Sequence, residues 1–161
     1  MVDRFAELTQ RLYDLDSSIF PGPAGEEEIR RAEAELSTVF PISYKWFLRT
    51  FGAADSPLEI YGVEPVVRLN ITASFWNVVY MTESERNEVE PRIPAHLIPF
   101  NPDGMGNHSC LNTAMMSEGE CPVVFWDHDA SETQQPELTH DTFLDWLEER
   151  LAFEEDYYNK K

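Results

Sequence analysis

The sequence predicts an α+β fold, a single mostly antiparallel sheet with helices packed on one face. Two patterns carry this expectation. Helical spacing of apolar residues fills the first third of the chain and returns at its end, whereas the segment between them breaks into short apolar runs separated by turn residues. Helices gathered on either side of a block of strands argue against an alternating parallel sheet.

The elements follow in order. From Asp3 to about Asp16, Phe5, Leu8, Leu12 and Leu15 recur at helical spacing, with Asp3 as the N-cap. Two prolines and two glycines in Phe20–Gly25 end that helix. Glu26, Glu27 and Glu28 then suit the positive end of a second helix, which buries Ile29, Ala32 and Leu36. Pro41 is expected at the first position of a third helix. It carries Tyr44, Phe47, Leu48 and Phe51, and Gly52 closes it.

Leu58–Tyr61 reads as a short strand bounded by Pro57 and Gly62. Val66–Phe75 has an ambiguous period and reads as extended backbone, since Val67, Leu69, Ile71, Ala73 and Phe75 alternate and its β-branched residues lower helix propensity. Trp76–Met81 reads as another strand. Thr82 and Glu85 have capping-box spacing and are expected to open a short helix through Val89, which Pro91 and Pro94 end. Further strands are expected at Leu97–Phe100, His108–Asn112, Val123–Trp126 and about Glu137–Thr139. The last helix starts near Asp141 and turns Phe143, Leu144, Trp146, Leu147 and Leu151 inward.

A chain of 161 residues suits one domain spanning 1–161, with its core at about 26–153 and an N-terminal helix over 1–19. Thirty carboxylates against 12 Lys and Arg give a formal charge of -18, which repels nucleic acid and anionic membrane and steers cationic proteins toward the surface. The N-terminus lacks a signal-peptide pattern and no run reaches the roughly 18 apolar residues of a membrane span, so a cytoplasmic protein is expected. Cys110 and Cys121 lack metal-site spacing and read as reduced buried thiols, although they could face each other across a hairpin.

No catalytic motif is recognisable, and no cofactor or metal is expected. Asn101–Asn107 fails as a calcium loop, because aligning either glycine puts Pro99 or Met105 where an oxygen ligand is required. It reads instead as a tight connection in which Gly104 and Gly106 take positive φ and Asp103 or Asn107 caps the turn. Asp127, His128 and Asp129 follow a strand ending in Trp126, so their side chains alternate and cannot all converge. A metal or acid/base site pairing His108 with Asp127 is conceivable, but Asp127 is better read as a strand-end acceptor of backbone N–H groups.

Three acidic patches remain. Glu83, Glu85, Glu88 and Glu90 share the short helix region. Asp127, Asp129 and Glu132 mark the strand exit. Glu148, Glu149, Glu154, Glu155 and Asp156 read as a solvated face. If the strands pair, the exit patch adjoins the glycine loop and puts Asp103, Asn107, His128, Asp129 and Glu132 on one rim. With Glu83, Glu85 and Glu88, these are the candidate partner-binding residues.

PISYKWFLRTFG, LIPF, DGMGN, VVFWDHD and TFLDWL together resemble the SUKH superfamily, which includes bacterial immunity proteins and Smi/Knr-type fungal cell-wall regulators. Pro41, Tyr44 and Gly52 match its third-helix pattern, while Phe40 stands where leucine is usual. The resemblance spans about Glu26–Phe153. It implies a SUKH-like α+β fold, no enzymatic activity, and a role as an immunity protein that binds a cognate toxin domain, commonly a nuclease. Such a nuclease must present cations to phosphate, and an acidic surface complements it. The alternative is a non-immunity regulatory module. Pro41, Tyr44, Gly52, Gly104, Gly106, Trp126, Asp127, Phe143 and Trp146 are expected to be structural.

Overall fold

The computed structural model describes residues 3–15, 20–64 and 77–160. Among these, α1 (Arg4–Asp14), α2 (Glu26–Leu36), α3 (Ile42–Thr50) and α4 (Val78–Asn87) precede four strands, and α5 (Phe143–Asn159) follows them. The strands β1 (Leu97–Pro102), β2 (His108–Asn112), β3 (Val123–Trp126) and β4 (Glu137–His140) pair antiparallel in the order β1-β2-β3-β4. The α+β class and the antiparallel sheet are therefore as the sequence predicts.

Local chemistry explains most boundaries. The Asp3 carboxylate accepts the Phe5 N–H at 3.0 Å and starts α1. Three glutamates occupy the first turn of α2, whose Ile29, Ala32 and Leu36 are buried. Pro41 lies one position before the expected one, as the N-cap of α3. At the other end Gly52 takes φ 81° and donates to the Leu48 carbonyl at 3.0 Å. Thr142 caps α5 by accepting the Asp145 N–H, so the last helix starts near Asp141 as expected.

The sheet separates two apolar clusters. Ile98, Phe100, Leu111 and Val123 enter the main core with residues of all five helices. At its centre Tyr44, Phe100 and Phe143 are mutual ring neighbours, and Trp146 meets Phe100 edge-on at 4.8 Å. Leu97, Cys110, Val124 and Trp126 alternate onto the opposite face, where Ile93 packs against them. Cys110 and Cys121 are free and belong to different clusters, so they do not face each other.

Three expectations of secondary structure need correction. Trp76–Met81 was expected to be a strand; Trp76 and the whole of Val66–Phe75 lie outside the described residues, and from Val78 onward the chain is helical. The Asn77 side chain accepts the N–H groups of Val79 and Tyr80 and sets the start of α4. Thr82 is consequently a buried residue inside α4 and caps nothing. Leu58–Tyr61 does not join the sheet. Glu59 has φ 52°, among the described residues Ile60 bridges only Ala54, and Asn101 Nδ2 donates to the Leu58 and Glu59 carbonyls.

The acidic C-terminal run is not simply a solvated face. Glu154 is 5% exposed and pairs with Arg150 at 3.2 Å, while Glu155 pairs with Arg11 at 2.5 Å and ties α5 to α1.

Candidate functional site

One end of the sheet is built by the β1–β2 connection and the exit from β3. Asp103 organises the connection. Its carboxylate accepts the backbone N–H groups of Met105 and Asn107 at 2.8 and 3.1 Å, and the Asn107 amide at 2.7 Å. Burial would raise this carboxyl, but the three donors outweigh it and hold Asp103 below its ordinary value. Gly104 and Gly106 take φ of 83° and 96°.

Asn107 then joins the two loops, its Oδ1 accepting the His128 N–H at 3.0 Å. The fit is close: a Cβ on Gly106 would lie 2.8 Å from the His128 ring. Asp127 accepts the Asp129 N–H at 2.9 Å, in the strand-end role expected of it. His128 lies 3.6 Å from the Asp129 carboxylate. Glu132 reaches across to accept the Arg92 N–H at 3.1 Å, and that bond holds its carboxyl below the ordinary value.

The structure thus gathers Asp103, Asn107, His128 and Asp129 on one rim and connects Glu132 to the segment after α4. Glu83 and Glu88 lie on or beside α4 with their own local partners, Arg86 and Ser84. Glu85 departs from this group. It is 7% exposed, burial raises its carboxyl, and Oε2 has no hydrogen-bond partner among the described residues, so it cannot offer a carboxylate to a large partner as an exposed rim residue would.

Two contributors escaped the sequence reading. Met105, at the tip of the glycine loop, is 72% exposed and places an apolar side chain among the rim's polar groups. Its position inside a predicted turn was the available signal. Gln134 clasps the β3 exit by accepting the Asp127 N–H at 3.2 Å and donating to its carbonyl at 2.8 Å. No sequence pattern points to that contact.

Beneath the rim the chemistry is that of a buried support. His108 is buried, its Nε2 is 3.3 Å from the Tyr61 hydroxyl, and desolvation lowers its pKa to about 4, so the ring is neutral. Burial raises Cys110 well above its ordinary value and Cys121 to about 12, so neither thiol supplies a ready thiolate nucleophile. Among the described residues no group of three or more His, Cys, Asp or Glu side chains could hold a metal ion. Nor is any described helix long and apolar enough to cross a membrane.

The family model SUKH_5, described as SMI1-KNR4 cell-wall, matches residues 3–152. The match includes α1, which the resemblance of the sequence motifs left outside.

Proposed function

The chain belongs to the SUKH family of SMI1-KNR4 type, and on that premise we propose that it is an immunity protein that binds and neutralises a cognate basic toxin domain, a nuclease in particular. The family includes immunity proteins, and its domains generally act by binding. The observation that carries the reading is the rim: Met105 stands exposed within a frame of Asp103, Asn107, His128 and Asp129, held by hydrogen bonds across two loops.

The physical mechanism follows from charge and preorganisation. A nuclease surface that receives phosphate is cationic, and a chain of formal charge -18 attracts it over the Debye length before contact. At contact the rim carboxylates meet cations while Met105 supplies apolar burial. The fixed loop limits the ordering cost of docking. Such a partner occupies the toxin's own substrate site and needs no catalytic step.

Co-expression with the toxin encoded beside this chain's gene is the direct test, with restored growth expected and unrelieved toxicity refuting immunity. Stopped-flow association rates locate the surface. Asp129→Lys with Glu132→Lys should slow association more than Glu27→Lys with Glu35→Lys, two exposed positions on α2. The difference should shrink as the screening length falls from about 10 Å at 0.1 M salt to about 3 Å at 1 M. Equal effects of the two pairs would remove the rim from the interface.

The cell-wall designation of the matching model favours a second reading, a non-immunity regulatory module that organises other proteins with the same fold. A chain that binds no neighbouring toxin yet alters wall composition when deleted would support it.

A further inference from the structure

The β4 edge and the groove beside it lie away from the rim, at the opposite end of the sheet. The connection over residues 113–122 runs from the end of β2 to the start of β3, whereas Asp103–Asn107 precedes β2. β4 is an edge strand. It bonds to β3 on one side, and among the described residues no backbone group of Glu137–His140 makes a hydrogen bond on the other. The far edge differs, because the Tyr61 N–H bonds the Phe100 carbonyl of β1 at 2.9 Å there.

A groove of about 430 Å³ opens next to β4, with Met115, Pro122 and Leu138 supplying apolar surface and Glu118, Glu120 and Asp141 supplying carboxylates. Met115 is 55% and Leu138 51% exposed. Glu120 is committed to the Ser43 N–H and hydroxyl. Glu118 and Asp141 are exposed and, among the described residues, make no ion pair; the groove lining contains no cation.

We propose that β4 and this groove dock an extended segment of a partner protein in which apolar and cationic side chains alternate. Strand addition supplies main-chain hydrogen bonds and directs successive side chains to opposite faces. Apolar members on the groove side meet Met115 and Leu138, and the long side chains of the cationic members reach round the edge to Glu118 and Asp141, which line the same groove. A second copy of this chain is the poorer occupant, since it would bring the same carboxylates and a further charge of -18 against them. The edge is short, and the shift from Val124↔Leu138 to Val123↔His140 leaves Thr139 as an extra residue. Both features discourage indiscriminate pairing, so selectivity falls to the groove. This surface is independent of the toxin-facing rim and goes beyond that reading.

The test titrates the full ¹⁵N-labelled chain with three short peptides: alternating Lys-Val, alternating Lys-Ser of the same charge, and alternating Glu-Val. The Lys-Val peptide should bind saturably, shift amides of Met115–Pro122 and Glu137–Asp141, and slow hydrogen exchange in β4. The Lys-Ser peptide should bind about tenfold more weakly, and the Glu-Val peptide should not bind. Leu138→Lys combined with Asp141→Lys, both exposed positions, should weaken Lys-Val binding about tenfold with the folded spectrum retained, while Asp129→Lys should leave it unchanged. Equal binding of Lys-Val and Lys-Ser, shifts confined to Asp103–Asn107 and Asp127–Glu132, or absence of saturable binding would each overturn the proposal. So would a peptide-free dimer abolished by Leu138→Lys, which would assign the edge to a second copy.

Discussion

Replacing Tyr44 with phenylalanine removes one oxygen atom and leaves the centre of the core otherwise in place. The Tyr44 hydroxyl donates to the Tyr61 carbonyl at 2.6 Å, with Tyr44 0% and Tyr61 4% exposed. The ring packs edge-on against Phe40 at 5.1 Å and Phe143 at 5.2 Å, and phenylalanine preserves both contacts. The loss is therefore that of a buried hydrogen bond that strands a carbonyl, about 1–3 kcal/mol. Truncation to alanine would add a cavity and cost about 3–5 kcal/mol. For a chain of this size each kcal/mol moves Tm by roughly 2–4 °C, so Tyr44→Phe should melt roughly 2–12 °C below the parent. Urea unfolding should show a lower midpoint with an unchanged slope. The consequence extends beyond α3, because Tyr61 also donates its N–H to Phe100 at 2.9 Å and its hydroxyl lies 3.3 Å from His108. A variant with Tm and urea midpoint indistinguishable from the parent would refute the assignment of Tyr44 as the bond that joins α3 to the support of the rim.

Three further outcomes follow from buried or strained groups. His108 has its folded pKa lowered from 6.5 to about 4, so its contribution to stability is present above pH 6.5 and is lost as pH falls toward 4; in urea midpoints across that window, His108→Gln should show a shallower decline than the parent. Glu85 has the opposite sign: burial raises its carboxyl, so stability falls as pH rises above its ordinary value of 4.5. Glu85→Gln should be the more stable protein at pH 7 in thermal melts, with the advantage shrinking in acid. Gly106→Ala must place a Cβ 2.8 Å from the His128 ring at φ 96°, and it should lose about 1 kcal/mol or more and shift the His128 ring resonances. A melt equal to the parent's would show that the two loops move apart freely.

The helices with a clear apolar period were legible because each buries a stripe that its own spacing reveals. Leu8 and Leu12 in α1, Ile29, Ala32 and Leu36 in α2, and Phe47 and Leu48 in α3 are all buried. Helix α4 was hidden for the complementary reason. Its buried residues are Val78, Thr82 and Glu85, so two members of the stripe are polar, and the run of β-branched and aromatic residues reads as strand. Asn77 was the available signal, a capping residue directly before the run. Leu58–Tyr61 misled in the opposite direction: Pro57 and Gly62 bound it as they would a strand, but side chains from β1 and α5 donate to the carbonyls of Pro57, Leu58 and Glu59.

At the rim, turn chemistry in the sequence located the glycine loop and offered Asp103 or Asn107 as its cap, and the strand ending in Trp126 placed Asp127, His128 and Asp129 at the β3 exit. Those inferences need only neighbours along the chain. Pairing the two loops through Asn107 and His128, clasping the exit with Gln134, burying Glu85 while Met105 stays exposed, and turning Glu155 into a tie to Arg11 required the assembled fold. The physical reason is that caps, turns and periodic stripes are set by contacts within a few residues. The environment of a carboxylate depends on what distant segments pack against it, and the letter of each of the thirty Asp and Glu residues is the same whether it is solvated, paired or buried.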